Sequence, residues 1–230
     1  MDRNRNISFD LDAIGHVLSD RLLVVPAHQR PYSWLEEQVS AFWSDLLEAV
    51  NTGRPEYFLG TIVLTPDQST AKSSIIDGQQ RLATTTLLLA AFRNALVSGG
   101  LVDDAQTVSG KFLATRELGA TSPEPRLVLN SEDENFFRFL VVSTEPSQTV
   151  HPQAPDSHDR ILEAFSALTS RVSGLVDQEG GNWPGVVYRW VDYLEKRVQV
   201  IVAEVSNEAD AFLIFETLND RGLDLTVADL

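Results

Sequence analysis

Residues 73–89 read SSIIDGQQRLATTTLLL, and this stretch joins a strand to a long helix. The pair Ile75-Ile76 is typical of the end of a short buried strand, and Asp77-Gly78 is typical of a turn. From Gln79 to about Val97 the apolar residues cover most of a helical circumference, which predicts the central helix of the core. The following pair Gly99-Gly100 predicts the end of that helix.

The turn between strand and helix predicts an anion-binding site. The first backbone N–H groups of a helix have no partner within it, and the helix dipole adds partial positive charge, which suits phosphate. Gly78 allows a close backbone approach or a positive φ, and Arg81 adds a permanent positive charge. Asp77 is a candidate for holding a metal or orienting a water, while Gln79 and Gln80 offer uncharged amides.

The same residues also fit an ordinary strand–helix junction in which Asp77 caps the helix. Five consecutive residues without an aliphatic side chain favour a site over that alternative. The choice between the two depends on whether other polar loops lie beside the junction.

The composition indicates a globular protein without disulfide bonds. The 230 residues suffice for one large domain or two small ones, and 43% of them are hydrophobic. The absence of cysteine excludes thiolate catalysis and Cys-ligated metal sites, and the four histidines include no pair at zinc-binding spacing. The sequence has neither an apolar run of about 20 residues nor a signal-peptide core, so a cytoplasmic location without membrane contact is expected.

The formal net charge of −15 restricts the classes of partner. It disfavours a nonspecific nucleic-acid binder, because duplex DNA would be repelled at long range. A local basic cleft, particularly one that works with magnesium, remains compatible with this charge. Any contact with DNA is therefore expected to be weak, local or assisted by another domain.

A polar and aromatic loop is predicted at residues 28–34, which read HQRPYSW. It follows a predicted strand at 21–26 and precedes a helix that Ser33 and Glu36 would start as a capping box. Loops in such positions commonly carry function, and Gln29 and Arg30 are interpreted as site residues. The alternative is that Tyr32 and Trp34 only pack under the helix, and for Trp34 this alternative is favoured.

Further strands and helices are predicted along the chain, without an internal repeat. Residues 9–18 have helical spacing, and residues 57–64 predict a strand in which Gly60 implies a close approach to the backbone. The next predicted elements are a short strand at 126–129, a capping box at 131–134 that opens a helix, and a loop at 143–157. They are followed by helices at 160–176 and 183–196, a strand at 198–205 and a helix capped by Asn207.

The C-terminal residues predict a second polar loop and an interrupted helix. Residues 218–225 read LNDRGLDL, and Thr226 would cap a helix of which only four residues follow. A natural domain rarely ends in the first turn of a helix. We therefore expect a fragment of a longer protein, with the effector activity in the missing part.

Three blocks of this sequence together resemble one protein family. They read VPAHQRPYSW at 25–34, IDGQQRL at 76–82 and FETLNDRGLDL at 215–225, with ADL at 228–230. In order and spacing they are similar to the N-terminal domain of GmrSD-type restriction enzymes, a family of modification-dependent enzymes that includes phosphorothioate-sensing phage-defence proteins. The resemblance covers nearly the whole chain.

The resemblance implies an α+β fold with a ParB/sulfiredoxin-like core, in which a small mixed sheet packs on helices. The core would comprise about 1–100 and 198–230, with a helical insertion at about 101–197, in one sensor and NTPase domain over 1–230. The family's implied activity is nucleoside triphosphate hydrolysis, with GTP or ATP as substrate. The implied regulation is control of an HNH-type nickase by sensing of modified DNA, and this nuclease domain is absent from the sequence.

The resemblance also implies roles for individual residues. The family's nucleotide-hydrolysis motif matches Asp77, Gln79, Gln80 and Arg81 as catalytic residues, with Asp77 as the ligand of a Mg²⁺ cofactor. Nucleotide contacts would come from Gly78, Arg30, Asn219, Arg221 and Gly222. The DNA- or modification-sensing loop matches His28, Gln29, Pro31, Tyr32 and Trp34, with His28 where the family often carries Tyr.

Three functional hypotheses follow. The leading one is a triphosphatase sensor whose partners are a nucleoside triphosphate, modified DNA and a C-terminal nuclease domain. The second is a reader of modified DNA that hydrolyses nothing, and the third is a structural or dimerisation module whose polar loops only cap helices. A nuclease activity within this chain lacks support, because no Asp/Glu–Lys or HNH-like cluster occurs in the sequence. The oligomeric state, including a homodimer, stays open.

Overall fold

The centre of the fold is a mixed six-stranded sheet. The computed structural model describes residues 7–66, 72–116, 118–144, 154–207 and 210. The strands of the sheet are β1 (Ile7–Ala13), β2 (Leu23–Val24), β3 (Tyr57–Pro66), β4 (Ser73–Asp77), β7 (Leu127–Val128) and β8 (Val198–Val205), and a separate two-stranded ladder joins β5 (Ala114–Thr115) to β6 (Glu124–Pro125). The order across the large sheet is β1-β8-β3-β4-β2-β7.

Helices cover one face of this sheet. They are α1 (Ile14–Asp20), α2 (Glu36–Thr52), α3 (Gln79–Ser98), α4 (Val102–Val108), α5 (Glu134–Val142), α6 (Asp156–Glu179) and α7 (Trp183–Lys196), with a π-helical turn at Ser109–Leu113 and a 3₁₀ turn at Gly180–Asn182. The predicted α+β class, with a small mixed sheet packed on helices, is confirmed. In the described part of the chain, no helix has the length and apolar character that a membrane crossing requires.

The long helix α3 is the centre of the helical layer. It packs against α4, α5, α6 and α7 and is buried on nearly all sides. Its buried hydroxyl groups bond back to the helix itself: Thr85 Oγ1 donates to the Arg81 carbonyl and Thr86 Oγ1 to the Leu82 carbonyl. Phe92 of α3 lies against Trp190 of α7, which in turn stacks on Trp43 of α2 at a centroid distance of 4.8 Å.

The pairing of the strands determines where the site lies. β8 pairs in parallel with β3 and antiparallel with β1, so the last described strand lies between the first and third. β4 returns antiparallel beside β3 and places Asp77 opposite Val63. β2 adds in parallel to β4, which brings the chain that leaves β2 close to the end of β4.

The prediction of one helix over residues 9–18 is half wrong. Residues 9–13 belong to β1, and the helix α1 starts only at Ile14. The segment from Phe9 to Ala13 alternates apolar and polar residues with period two, which is the strand pattern, and it pairs with β8 as an edge strand. The strand predicted at 21–26 is present but extends over only two residues.

The predicted capping box of Ser33 and Glu36 is also wrong. The N-cap of α2 is Leu35, whose backbone N–H donates to Gln38 Oε1 at 2.8 Å. The backbone N–H of Ser33 instead donates to Gln80 Oε1 of α3. A tertiary partner therefore takes the place of the local cap.

The capping box predicted at 131–134 is also wrong, because the N-cap of α5 is Asp133 and no side chain caps this helix. The remaining predicted elements lie close to where they were expected, within the described residues. α7 and β8 have the predicted bounds, and α3 ends at Ser98. Asn207 Oδ1 accepts the backbone N–H of Asp210 at 2.9 Å, as expected for a helix cap. Most of the predicted loop at 143–157 and everything after Asp210 lie outside the described residues.

Candidate functional site

The strand–helix junction contains a glycine that the geometry requires. Gly78 is the N-cap of α3 with φ 94° and ψ 2°, and no side chain caps the helix. A Cβ on this residue would lie 2.9 Å from Ile62 Cγ1 of β3, in a backbone conformation that disfavours any side chain. The interpretation of Asp77 as the N-cap is therefore wrong. The helix begins with uncapped N–H groups, which suit an anion.

Arg81 lies across β3 rather than free in solvent. Its Nη1 donates to the Thr61 carbonyl at 2.6 Å and is 3.9 Å from Asp77 Oδ2. Gly60 makes this position accessible, because a Cβ there would lie 3.1 Å from Arg81 Nε. The predicted close approach at Gly60 is thus confirmed. The Arg81 and Asp77 side chains each remain about one-third exposed, so both can meet a ligand.

Gln79 and Gln80 join α3 to the loop at residues 28–34, which we call the first loop. Gln79 Nε2 donates to the Arg30 carbonyl at 3.2 Å, and Gln80 Nε2 donates to the Pro31 carbonyl at 3.3 Å. Gln80 Oε1 accepts the N–H of Ser33 at 3.0 Å, so both ends of this amide are engaged by the loop. These two glutamines hold the first loop against the start of the helix.

Gln29 connects the first loop directly to the junction. Its Nε2 donates to the carbonyl of Ile76, the residue before Asp77, at 3.2 Å. Its own backbone carbonyl accepts Asn130 Nδ2 at 3.0 Å. The structure therefore brings two of the three sequence blocks together.

The two aromatic residues of the first loop are packing residues. Tyr32 is buried, and its hydroxyl forms a 2.9 Å hydrogen bond with Thr84 Oγ1 of α3. Burial raises the pKa of Tyr32 to about 12, against a smaller opposite effect of the Thr84 hydrogen bond. Trp34 packs on the ring of Phe42 at 6.0 Å, which agrees with the packing alternative favoured for it.

The exposed side chains of the first loop are His28 and Arg30. Pro31 is half-buried beside them. Arg30 also lines a small cavity with Gln79 and Gln80. In the first loop, these two exposed side chains are therefore the ones best placed to meet a large ligand.

The small cavity contains residues that the sequence interpretation did not assign to the site. Its volume is about 10 Å³, and Asn130 and Asp133 line it together with Tyr32 and the two glutamines. The Asp133 carboxylate is fully buried, accepts the Tyr32 N–H at 2.7 Å and accepts the Ser157 hydroxyl at 2.5 Å. A buried Asn and Asp after the apolar run at 126–129 was the available signal, but a helix cap explained it equally well.

The donor set at the junction limits how a metal would bind. Within the described residues, no group of three or more His, Asp or Glu side chains is close enough to hold an ion. Asp77 offers one carboxylate, so Mg²⁺ would fit here only with phosphate oxygens and waters as its further ligands. The proposed nucleotide contacts Asn219, Arg221 and Gly222 lie outside the described residues.

Comparison with known proteins gives one family. The family model described as GmrSD restriction endonuclease, N-terminal domain, matches residues 14–230. A search of curated proteins found no match. The matched range includes all of the first loop and the whole junction.

Proposed function

We propose, from the premise that this chain belongs to the GmrSD restriction endonuclease N-terminal domain family, that it hydrolyses nucleoside triphosphates as the sensor of a restriction system. The observation that carries the proposal is the convergence at one junction of uncapped helix N–H groups, a partly exposed arginine and a partly exposed carboxylate. The bond from Gln29 to Ile76, and those from Gln79 and Gln80 to carbonyls of the first loop, support the assignment of this loop to the same site.

Arg81 would carry the electrostatic part of the reaction. Phosphoryl transfer places negative charge on the transferred group, and preorganised donors stabilise that charge without reorganising. Arg81 is preorganised because the Thr61 carbonyl and Asp77 fix its guanidinium. The backbone N–H groups after Gly78 would bind a phosphate oxygen beside it.

Asp77 and the glutamines would divide the remaining tasks. Asp77 would hold Mg²⁺, which when bound neutralises phosphate charge, or would orient the attacking water. Because the loop engages both ends of the Gln80 amide, Gln80 would act by holding the loop, and Gln79 is the better candidate for positioning water. Arg30 would add a charge from the first loop.

The family also suggests the larger setting of this activity. We infer that the chain works with a C-terminal nuclease domain and that nucleotide hydrolysis regulates cutting of modified phage DNA. The net charge of −15 supports a local rather than a general contact with DNA. His28 and Arg30, the exposed side chains of the first loop, are the proposed contacts.

Phosphate release from GTP and ATP tests the proposal. The purified protein is compared with Arg81→Ala and with Arg54→Ala, a matched loss of an exposed arginine that pairs with Glu48 at the far end of α2. We expect Arg81→Ala to lose at least tenfold in turnover and Arg54→Ala to stay within twofold. Equal phosphate release from Arg81→Ala and the wild type would refute the assignment.

A non-hydrolytic reader of modified DNA is the second candidate, and the exposure of His28 and Arg30 beside the junction favours it. In this case the junction would bind a DNA phosphate. Binding to modified and unmodified duplexes, measured over a range of salt concentrations, separates the two functions. A reader prefers modified DNA, loses that preference in His28→Ala, and releases no phosphate. A steep salt dependence without such preference would contradict both functions.

A further inference from the structure

The Asp133 carboxylate accepts hydrogen bonds from residues far away in the sequence. It is the N-cap residue of α5, yet its side chain makes no cap bond to that helix. The carboxylate turns away and accepts the N–H of Tyr32, 101 positions earlier, and the hydroxyl of Ser157. Burial of a carboxylate costs free energy unless hydrogen-bond partners compensate for the lost water, and these two bonds supply such partners.

The bond to Tyr32 completes a two-sided clamp on the first loop. On one side, α3 holds the loop through Gln79, Gln80 and the Thr84 bond to the Tyr32 hydroxyl. On the other side, Asp133 holds the Tyr32 backbone. Loop residues fixed from two sides have few alternative conformations, and catalytic groups depend on such support.

The turn before α5 reinforces this second side. Asn130 Nδ2 donates to the Gln29 carbonyl, and Asn130 Oδ1 accepts the N–H of Asp133. Asn130 and Asp133 line the same small cavity as Arg30. Asn130 and Asp133 therefore hold the segment from Gln29 to Tyr32 at both of its ends.

We propose that Asp133 is a positioning residue for the junction, which sets the first loop so that the Arg30 side chain faces the bound anion. This inference rests on the proposed function. Asp133 touches neither phosphate nor the reacting atoms in this assignment. It acts through the Tyr32 backbone.

The matched variants are Asp133→Ala, Asp133→Asn and Ser157→Ala. Alanine removes the acceptor of the Tyr32 N–H, whereas asparagine keeps an oxygen for Tyr32 and offers an N–H to the Ser157 hydroxyl. Ser157→Ala removes only the second bond and controls for the loss of the hydroxyl contact, while His158 Nε2 of α6 stays 3.8 Å from Asp133 Oδ1. Thermal unfolding of each variant gives the folded fraction at the assay temperature.

The readouts are turnover of GTP and ATP, the Kd for inorganic triphosphate, and hydrogen exchange of the Tyr32 amide. We expect Asp133→Ala to lose at least tenfold in turnover and in triphosphate affinity per folded molecule, with fast Tyr32 exchange. Asp133→Asn should have a turnover and a triphosphate affinity within threefold of the wild type, and Ser157→Ala should have both within twofold. If Asp133→Ala does not fold, Asp133→Asn decides the question. Turnover, triphosphate affinity and protection of the Tyr32 amide that are kept together or lost together support the proposal, and a loss of protection without a loss of activity, or the reverse, overturns it.

Two results separate this inference from the proposed function. A wild-type protein that binds triphosphate without hydrolysing it refutes the hydrolase assignment, and the Kd values then decide the role of Asp133. A wild-type protein that does neither refutes the anion site and, with it, the positioning role. Unchanged turnover and affinity in folded Asp133→Ala overturn the inference alone, because a merely structural role would leave the activity per folded molecule intact.

Discussion

Replacing Gly60 with alanine should impair nucleotide hydrolysis while the protein stays folded. The new Cβ would lie 3.1 Å from Arg81 Nε and 3.2 Å from Arg81 Cζ. Because ordinary contacts begin at about 3.5 Å, the guanidinium must move by roughly 0.5 Å. The hydrogen bond from Arg81 to the Thr61 carbonyl is 2.6 Å long and would be weakened by that displacement.

The expected magnitudes follow from this geometry. The φ of +123° at Gly60 disfavours a side chain by about 1–3 kcal/mol, which a typical stability of about 5–15 kcal/mol tolerates. A hydrogen bond from a charged donor contributes about 1.5–3 kcal/mol. If the transition state loses that contribution, turnover falls about 10- to 100-fold, since about 1.4 kcal/mol corresponds to a factor of ten.

The assay combines phosphate release at saturating nucleotide with urea denaturation. Gly53→Ala is the control, because Gly53 also has a positive φ, of +65°, but nothing lies within 4 Å of its Cβ position. The control should lose stability and keep its turnover. If the turnover of Gly60→Ala is within twofold of the wild type, then the activity does not depend on the space that Gly60 leaves for the Arg81 guanidinium.

Three further predictions concern stability, each measured by urea denaturation. Because burial raises the pKa of Tyr32 to about 12, the stabilisation of roughly 3 kcal/mol linked to its neutral hydroxyl is complete below pH 10 and lost as the pH rises towards 12. Tyr32→Phe should flatten that fall, and parallel curves for the two proteins would contradict the assignment. Arg93→Met should cost about 3 kcal/mol or more, because the buried guanidinium donates to three carbonyls at the end of α5, and a loss below about 1 kcal/mol would contradict this. Gly78→Ala should cost about 1–3 kcal/mol more than Gly100→Ala, since both have a positive φ but only the first would clash with Ile62; equal losses would count against that clash.

The elements with long and uniform patterns were predictable from the sequence. α7 has a clear apolar face with helical period. α3 and β8 are buried on nearly all sides, and they were told apart by the length of α3 and by the β-branched residues that predominate in β8. Residues 9–18 were mispredicted because two periods meet there. A strand pattern up to Ala13 passes directly into a helical one, without a turn residue to mark the change.

The two sides of the candidate site differ in how far they could be predicted. The junction at Asp77 and Gly78 follows from local chemistry, since a strand, a turn glycine and a helix determine it. The role of Asp133 does not, because its partner is 101 positions away and local capping rules explain the same residues. The position of Ser33 could not be predicted for the same reason. Its backbone N–H donates to Gln80 Oε1, 47 positions away, and it does not cap α2 as expected.

The position of β8 has a consequence for the synthesis of the protein. β8 separates β1 from β3 in the sheet, yet it is the last of the described strands to leave the ribosome. At roughly 5–20 residues per second, about ten seconds or more pass between the emergence of β1 and that of β8. During this time β1 lacks its one partner strand and β3 has an open edge, so the nascent chain presents an unpaired strand and an unpaired strand edge. A chaperone that shields such edges would raise the yield of folded protein, and a chain shortened before Val198 would keep them exposed.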